Sequence, residues 1–272
     1  MSIKILQPGL FSTVQDLGRK GYEHIGFSGS GAMDQFSFKV AQSLINNDGP
    51  AIEYTLIGPT IQFNTQNTFV ITGGSVNASL NNKTISMNSV ILAEKGDILK
   101  IGAITKGARG YLTFGHSINV PSIAESYATH TRSSIGGFKG RKLLANDVIT
   151  VKINNDFKEN IGKTIHLQDD LLPENNIIHI LQGPQFEAFS EEARAKIVNY
   201  PYLITEQSDR MGYRLEGDSV APINQADIIS EPVALGSVQV PNDGQPIILL
   251  NDKQTIGGYT KIATVCKFDL PK

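Results

Sequence analysis

The stretch GSVQVPNDGQPIILLNDKQTIGGY, residues 236–259, sets the fold class. Val238–Val240 and Ile247–Leu250 are short aliphatic runs rich in β-branched residues. Between them, Asn242-Asp243-Gly244 supplies turn chemistry, because Asn and Asp side chains bond nearby backbone and Gly reaches positive φ. Gly257-Gly258 reads as a further turn that presents Tyr259. The whole reads as strand, turn, strand, turn.

The same grammar extends in both directions. Ile52–Ile57, Thr68–Thr72, Val90–Leu92, Ile98–Ile101 and Gly110–Phe114 are short runs of the same kind. So are Val148–Ile153, Ile177–Leu181 and Ile262–Phe268. Gly73-Gly74, Asn81-Asn82 and Gly96-Asp97 punctuate them. Strands this short and frequent predict a mainly β chain built as a barrel or sandwich. Two helices interrupt the pattern. Asp34 caps one through about Ile45, with Phe36, Val40, Ala41 and Leu44 on one face. Ser190 caps the other through about Val198, with Glu191 and Glu192 in its first turn.

The polar stretch from Asn154 to Asn176 is the candidate linker. It divides the chain into an N-terminal unit, 1–157, a connection, 158–176, and a C-terminal unit, 177–272. The halves share a faint echo. Ile3-Lys4-Ile5-Leu6-Gln7-Pro8-Gly9 parallels Ile178-His179-Ile180-Leu181-Gln182-Gly183-Pro184, which points to a duplicated domain rather than a stacked array.

Bulk composition narrows the function classes. The 272 residues are 40% hydrophobic and 18% charged, which is enough apolar material for a core. A net charge of -2 with no basic stripe gives no footing for nucleic acid or an anionic membrane. Cys266, the single cysteine, excludes an internal disulfide and reads as a small residue of an apolar strand. No apolar run reaches the roughly 20 residues of a bilayer span, and the first residues lack the pattern of a secretory leader. A cytoplasmic protein is the expectation.

Self-contained active-site motifs are missing: no Gly-x-Ser-x-Gly elbow, no His-Glu-x-x-His, no Walker lysine loop, no Cys-x-x-Cys. His24, His116, His130, His166 and His179 show no metal-ligand spacing, so no metal is expected. Four polar motifs remain. Gln15-Asp16-Leu17-Gly18-Arg19 lies near Ser28–Asp34, and an Asp16–Arg19 pair in a turn competes with a functional role. In Thr131–Arg141, glycines allow close backbone approach while Arg132 can hold a carboxylate; a solvated glycine loop is the alternative. Ser208–Gly217 carries Arg210 and Arg214, suited to an anion or to pairing with Asp209 and Glu216. In the opening stretch Gln239, Asp252, Gln254 and Tyr259 gather at strand ends, and such polar groups are costly to bury without partners.

Gln15–Arg19, Ser28–Asp34, Glu53–Gly58, Gly136–Arg141, Ser208–Gly217 and Gln239–Tyr259, in this order from Gly9 to Asp269, resemble a known family. It is the one called allophanate hydrolase subunit 2, biotin-dependent carboxyltransferase-like, or the C-type subunit of 5-oxoprolinase. The resemblance implies two tandem cyclophilin-like β-barrel units. It implies partners: a second cyclophilin-like subunit, of B type, and an A-type subunit. A catalytic set completed by partners would explain the missing motifs.

Three functions follow from the resemblance. One is the C-type subunit of a multi-component ATP-dependent 5-oxoprolinase, inactive alone, opening 5-oxoproline to L-glutamate. There Asp16, Asp34 and Asp252 handle water, and Gln15, Arg19, Arg132, Arg210, Arg214, Gln239, Gln254 and Tyr259 bind substrate, with ATP as co-substrate. Another is a carboxyltransferase component acting on urea or a similar amide, with biotin on a partner. The third is a binding protein that antagonises an inhibitor of a sensor histidine kinase.

Overall fold

The computed structural model describes residues 1–166 and 177–270. Contacts divide the chain into two compact units. The first comprises Met1–Arg19 and Ser30–Leu171, the second Lys20–Gly29 and Leu172–Lys272. The chain is mainly β, as read from the sequence, with two α-helices among the described residues. Parts of the expected linker, Asp169-Asp170 and Pro173–Asn176 among them, lie outside the described residues. Residues 154–166 contact the first unit. Thr68 Oγ1 donates to the Phe157 carbonyl at 2.6 Å, and Ser89 bridges Thr164.

The first unit is built on β1 (Ser2–Gln7), β2 (Phe11–Gln15), β3 (Ala51–Thr55), β4 (Thr60–Phe63), β5 (Asn67–Leu80), β6 (Lys83–Ile85), β7 (Ile91–Ala93), β8 (Ile98–Phe114) and β9 (Val148–Thr150). The sheet order is β2-β3-β8-β4-β1-β9, with β5 pairing β6, β7 and β8. The long strand β8 closes the curl. Its start pairs β4, its end pairs β3, and β5 accompanies it throughout. Alternation fills the interior: Ile3 and Ile5 of β1 point inward and meet Ile61, Phe63, Phe69, Leu99, Leu112 and Phe114.

Two expectations change here. The runs Ile98–Ile101 and Gly110–Phe114 belong to one strand, and Gly73-Gly74 lies inside β5 rather than in a turn. The register slips just after Gly73, where φ is +94° and a Cβ would sit 2.6 Å from the Arg109 carbonyl oxygen. Opposite it, a Cβ on Gly110 would strike the buried Tyr54 ring at 2.2 Å. These glycines mark a bulge that bends the sheet and leaves room for an aromatic ring. Asn81-Asn82 is the turn the sequence announces: both residues have positive φ, and Leu80 pairs Lys83 across it.

Helix α1 (Gln35–Ile45) packs on this sheet. Asp34 caps it, accepting from the Ser37 amide at 3.0 Å. Its buried face is Ser37, Phe38, Ala41, Leu44 and Ile45. Phe36, expected inside, is exposed, while Phe38 packs edge-on against Tyr111 at 5.8 Å.

The second unit contains β10 (Ile180–Gln182), α2 (Glu191–Asn199), β11 (Leu203–Ile204), β12 (Gly212–Glu216), β13 (Asp227–Pro232), β14 (Ser237–Val240), β15 (Ile247–Leu249) and β16 (Ile256–Val265). Its order is β10-β16-β14-β15-β12-β11, with β13 pairing β16. Phe189, Val220, Val238, Val240, Ile262 and Ala263 form a smaller core. Ser190 caps α2 as expected, accepting from the Ala193 amide. Gly257-Gly258 is not a turn but part of β16, with Gly257 opposite Glu231 and Tyr259 opposite Asp227. Cys266 follows β16 and opens a short 3-10 turn, Lys267–Asp269, instead of sitting within an apolar strand.

Candidate functional site

The sequence-predicted residues fall into polar clusters within each unit. In the first, β2 ends at Gln15, which is buried. Its amide nitrogen donates to Thr13 Oγ1 at 2.9 Å and the Thr129 carbonyl at 3.1 Å, and its oxygen accepts from the Gly31 amide at 3.1 Å. Asp16 accepts from the Gly18 amide at 2.8 Å, Ser126 Oγ at 2.7 Å and the Tyr127 amide at 2.6 Å. Arg19 donates to the carbonyls of Ile123 at 3.2 Å and Ala128 at 2.6 Å. The Asp16–Arg19 pair weighed as the alternative is not among these bonds. Both residues brace the segment 123–129, about 110 positions away by the separations these bonds span.

The glycine loop serves the same brace. A Cβ on Gly136 would lie 2.1 Å from the Ala128 carbonyl oxygen and 2.5 Å from Arg19 Nη2. A Cβ on Gly137 would lie 1.8 Å from Thr129 Oγ1. Here close packing demands glycine, as the sequence reading allowed. Arg132 is exposed on the 3-10 turn Thr131–Ser133.

A second cluster of this unit surrounds the start of α1. Tyr111, fully buried on β8, donates to Glu53 Oε2 at 2.8 Å and accepts from the Asp34 amide at 2.8 Å. The Met33 amide donates to the same Glu53 oxygen at 2.8 Å. Burial first, then the Glu53 and Asp34 charges, pushes the Tyr111 hydroxyl well above its ordinary value. That hydroxyl is a permanent donor. Both carboxylate oxygens of Asp34 are held by Ser37, through its amide and its hydroxyl.

In the second unit Arg210 and Asp252 form a buried fork: Nε to Oδ2 at 3.0 Å and Nη2 to Oδ1 at 3.1 Å. The Asp252 amide also donates to the Arg210 carbonyl at 2.9 Å, so backbone closes the unit that the side chains make. Asp209, weighed as an alternative partner for the arginines of this motif, instead accepts from the amides of Met211 at 2.7 Å and Gly212 at 3.4 Å. The pairing of β12 with β15 brings Asp252 to Arg210 across 42 positions of sequence. Arg214 is exposed on β12, and its amide donates to Ser208 Oγ at 3.0 Å. Burial lowers the Lys253 ammonium below its ordinary range.

Gln239 is buried on β14, and Gln254 Nε2 donates to its side-chain oxygen at 3.3 Å. Tyr259 is 39% exposed on β16. Beside Gln239 lies a group the sequence reading missed. Lys261, 2% exposed, pairs opposite Gln239 and places Nζ 2.5 Å from Glu231 Oε1. Gln185 donates to the same Glu231 oxygen at 2.7 Å, and its own oxygen accepts from the Lys261 amide at 3.1 Å. Lys261 and then Gln185 hold the Glu231 carboxyl below the usual carboxylate range. Glu53 and Tyr111 were missed as participants too. The available signal was the same in both places: one charged residue inside an apolar strand, in Ala51–Thr55 and in Tyr259–Val265.

Chemically, the second unit gathers a fixed guanidinium–carboxylate fork, two side-chain amides, a buried ammonium and a lysine of lowered basicity. Groups of these types can hydrogen-bond carbonyl and amide atoms or small anions. No group of His, Cys, Asp and Glu suited to a metal occurs among the described residues. No helix among them is long and apolar enough to cross a membrane.

Two curled β-sheet units carrying such clusters define a class. The family described as the carboxyltransferase domain, subdomain A and B, matches residues 25–272, and the chain belongs to it. Particular relatives stand close. The chain is 34% identical to the C-type subunit of 5-oxoprolinase from Escherichia coli, across 98% of this chain and 86% of that one. The protein of the same name from Haemophilus influenzae is also 34% identical, across 98% and 85%. Urea amidolyase of Saccharomyces cerevisiae is 31% identical across all of this chain but only 16% of its own length. Among solved structures, Kluyveromyces lactis urea amidolyase superposes with a TM-score of 0.87 at 29% identity, over 100% of this chain. Urea carboxylase from the same yeast gives 0.85 at 30% identity. The chain spans 18% and 26% of those two solved chains.

Proposed function

We propose that this chain is the C-type subunit of a multi-component ATP-dependent 5-oxoprolinase, converting 5-oxoproline to L-glutamate with A-type and B-type partner subunits in the cytoplasm. One observation carries the reading. The two relatives named as C-type subunits of 5-oxoprolinase are matched over 86% and 85% of their own lengths, whereas urea amidolyase is matched over 16% of its length. In this reaction the ring-amide oxygen takes the γ-phosphoryl group of ATP and ADP leaves. Water adds to the activated carbon, and the C–N bond breaks with its electron pair passing to nitrogen. A second water releases phosphate from the resulting acyl phosphate. Asp16, Asp34 and Asp252 are the carboxylates put forward for holding or deprotonating water. Gln15, Arg19, Arg132, Arg210, Arg214, Gln239, Gln254 and Tyr259 are put forward as substrate-binding side chains. The test is glutamate release from 5-oxoproline and ATP by the reconstituted subunits, omitting each in turn. Activity that persists without this chain sinks the proposal.

A second reading is supported by the 31% identity to urea amidolyase along the entire chain. It is a carboxyltransferase component that moves a carboxyl group from biotin on a partner to urea or a similar amide. It requires a biotinylated carrier, so avidin must abolish the activity of the assembled complex.

A further inference from the structure

We infer that Lys261, Gln239 and Glu231 form a subsite for the carbonyl oxygen of a small amide. The inference rests on the amide-substrate reading above and names the group that this face of the second unit recognises.

The starting observation is a surplus of buried donors. A lysine ammonium carries three N–H bonds. Among the described residues Glu231 is the acceptor that faces Lys261 Nζ, at 2.5 Å. Gln239 is 1% exposed; its oxygen is engaged by Gln254, and its Nε2 meets no acceptor among the described residues. Buried donors without acceptors are costly, and a bound acceptor removes that cost.

The backbone places these donors together. Gln239 and Lys261 are opposite each other on antiparallel β14 and β16, so their side chains leave the same face about 5 Å apart. The register slips there. Val238 faces Ala263 while Gln239 faces Lys261, which leaves Ile262 as the extra residue of a bulge. Bulges re-aim side chains and gather beside active sites. Gly257 completes the arrangement, because a Cβ there would lie 2.5 Å from Gln239 Nε2 and 3.3 Å from Gln254 Nε2.

Charge selects the ligand class. Glu231 balances the Lys261 charge, so the site has spare N–H bonds but no spare cation. An anion would have to compete with Glu231, whereas the neutral oxygen of a lactam or urea accepts both donors without disturbing the pair. Glu231 and Gln254, at the edge of the cluster, are partly exposed.

The experiment titrates three ligands into the full chain and the reconstituted complex by ligand-observed NMR. They are 5-oxoproline, 2-pyrrolidinone, which keeps the ring carbonyl without the carboxylate, and proline, which keeps the carboxylate without the ring carbonyl. The variants are the pair replacement K261M/E231Q, which removes both charges together, and Gln239→Leu. The wild type should bind the first two ligands and not proline. A variant with an unchanged melting transition should bind both about ten- to hundredfold more weakly. Undiminished binding by both folded variants overturns the subsite, as does a wild type that prefers proline to 2-pyrrolidinone or binds neither lactam. Glutamate formation is scored separately. A complex that binds 2-pyrrolidinone through Lys261 yet releases no glutamate refutes the 5-oxoprolinase reading and leaves the subsite standing.

Discussion

Arg210 and Asp252 are 4% and 3% exposed, and two hydrogen bonds hold their charges together. Removing one member strands the other in a poor solvent for ions, a loss of about 3–5 kcal/mol. We expect Asp252→Leu to lower the chemical-denaturation midpoint sharply and R210M/D252L to recover much of the loss; equal midpoints for single and double variants would argue against a stabilising pair. Arg141 and Asp147 allow a pH test. Arg141 donates to both Asp147 oxygens at 2.8 Å, and these bonds lead the effects that hold the Asp147 carboxyl below its usual range. The folded chain therefore binds fewer protons at Asp147 than the unfolded chain does. The stability this gives is present above the unfolded value near about pH 4 and fades as pH falls through the lower folded value. Stability curves of wild type and Asp147→Asn should converge on acidification, and a gap that widens instead would contradict the assignment.

At the scale of elements, the cap of α1 and the bend of β8 make separate predictions. Asp34→Ala removes both acceptors of Ser37 and should cost about 1 kcal/mol, read as a lower melting temperature. Gly110→Ala drives a methyl group into the Tyr54 ring and should cost about 1–3 kcal/mol, with the loss relieved in G110A/Y54L. These elements differ in how readable they were. Asp34 and Ser190 announced their helices because capping is local chemistry. The Phe36–Phe38 exchange was not readable, because both residues fit a helix and the sheet beneath chooses the buried one. Gly73-Gly74 and Gly257-Gly258 looked like turns because glycine permits turns. Only strand pairing distinguishes a turn from a bulge or a packed strand.

For the molecule as a whole, the expected dependence on partners is the sharpest test. The purified chain alone should release no glutamate, and the complete set of subunits should be active with avidin present. Avidin-sensitive activity with urea would favour the carboxyltransferase reading. The candidate site was half legible. Gln15, Asp16, Arg19, Arg210, Gln239, Asp252 and Gln254 drew notice as polar groups in short motifs, and the structure gives each of them named hydrogen-bond partners. The partners themselves were not legible: Asp16 meets Ser126 across a separation of 110 positions, and Arg210 meets Asp252 across 42.

The sequence by itself determined the β class, the two capped helices, the Asn81-Asn82 turn and the family. Each depends on residues near one another in the chain, or on ordered motifs that need no coordinates. Tertiary structure alone decided that Lys20–Gly29 packs with the second unit, that Asp252 rather than Asp209 holds Arg210, and that Lys261 lies buried beside Gln239. Strand register and burial set those pairings, and both arise from contacts between residues far apart along the chain, which local composition does not encode.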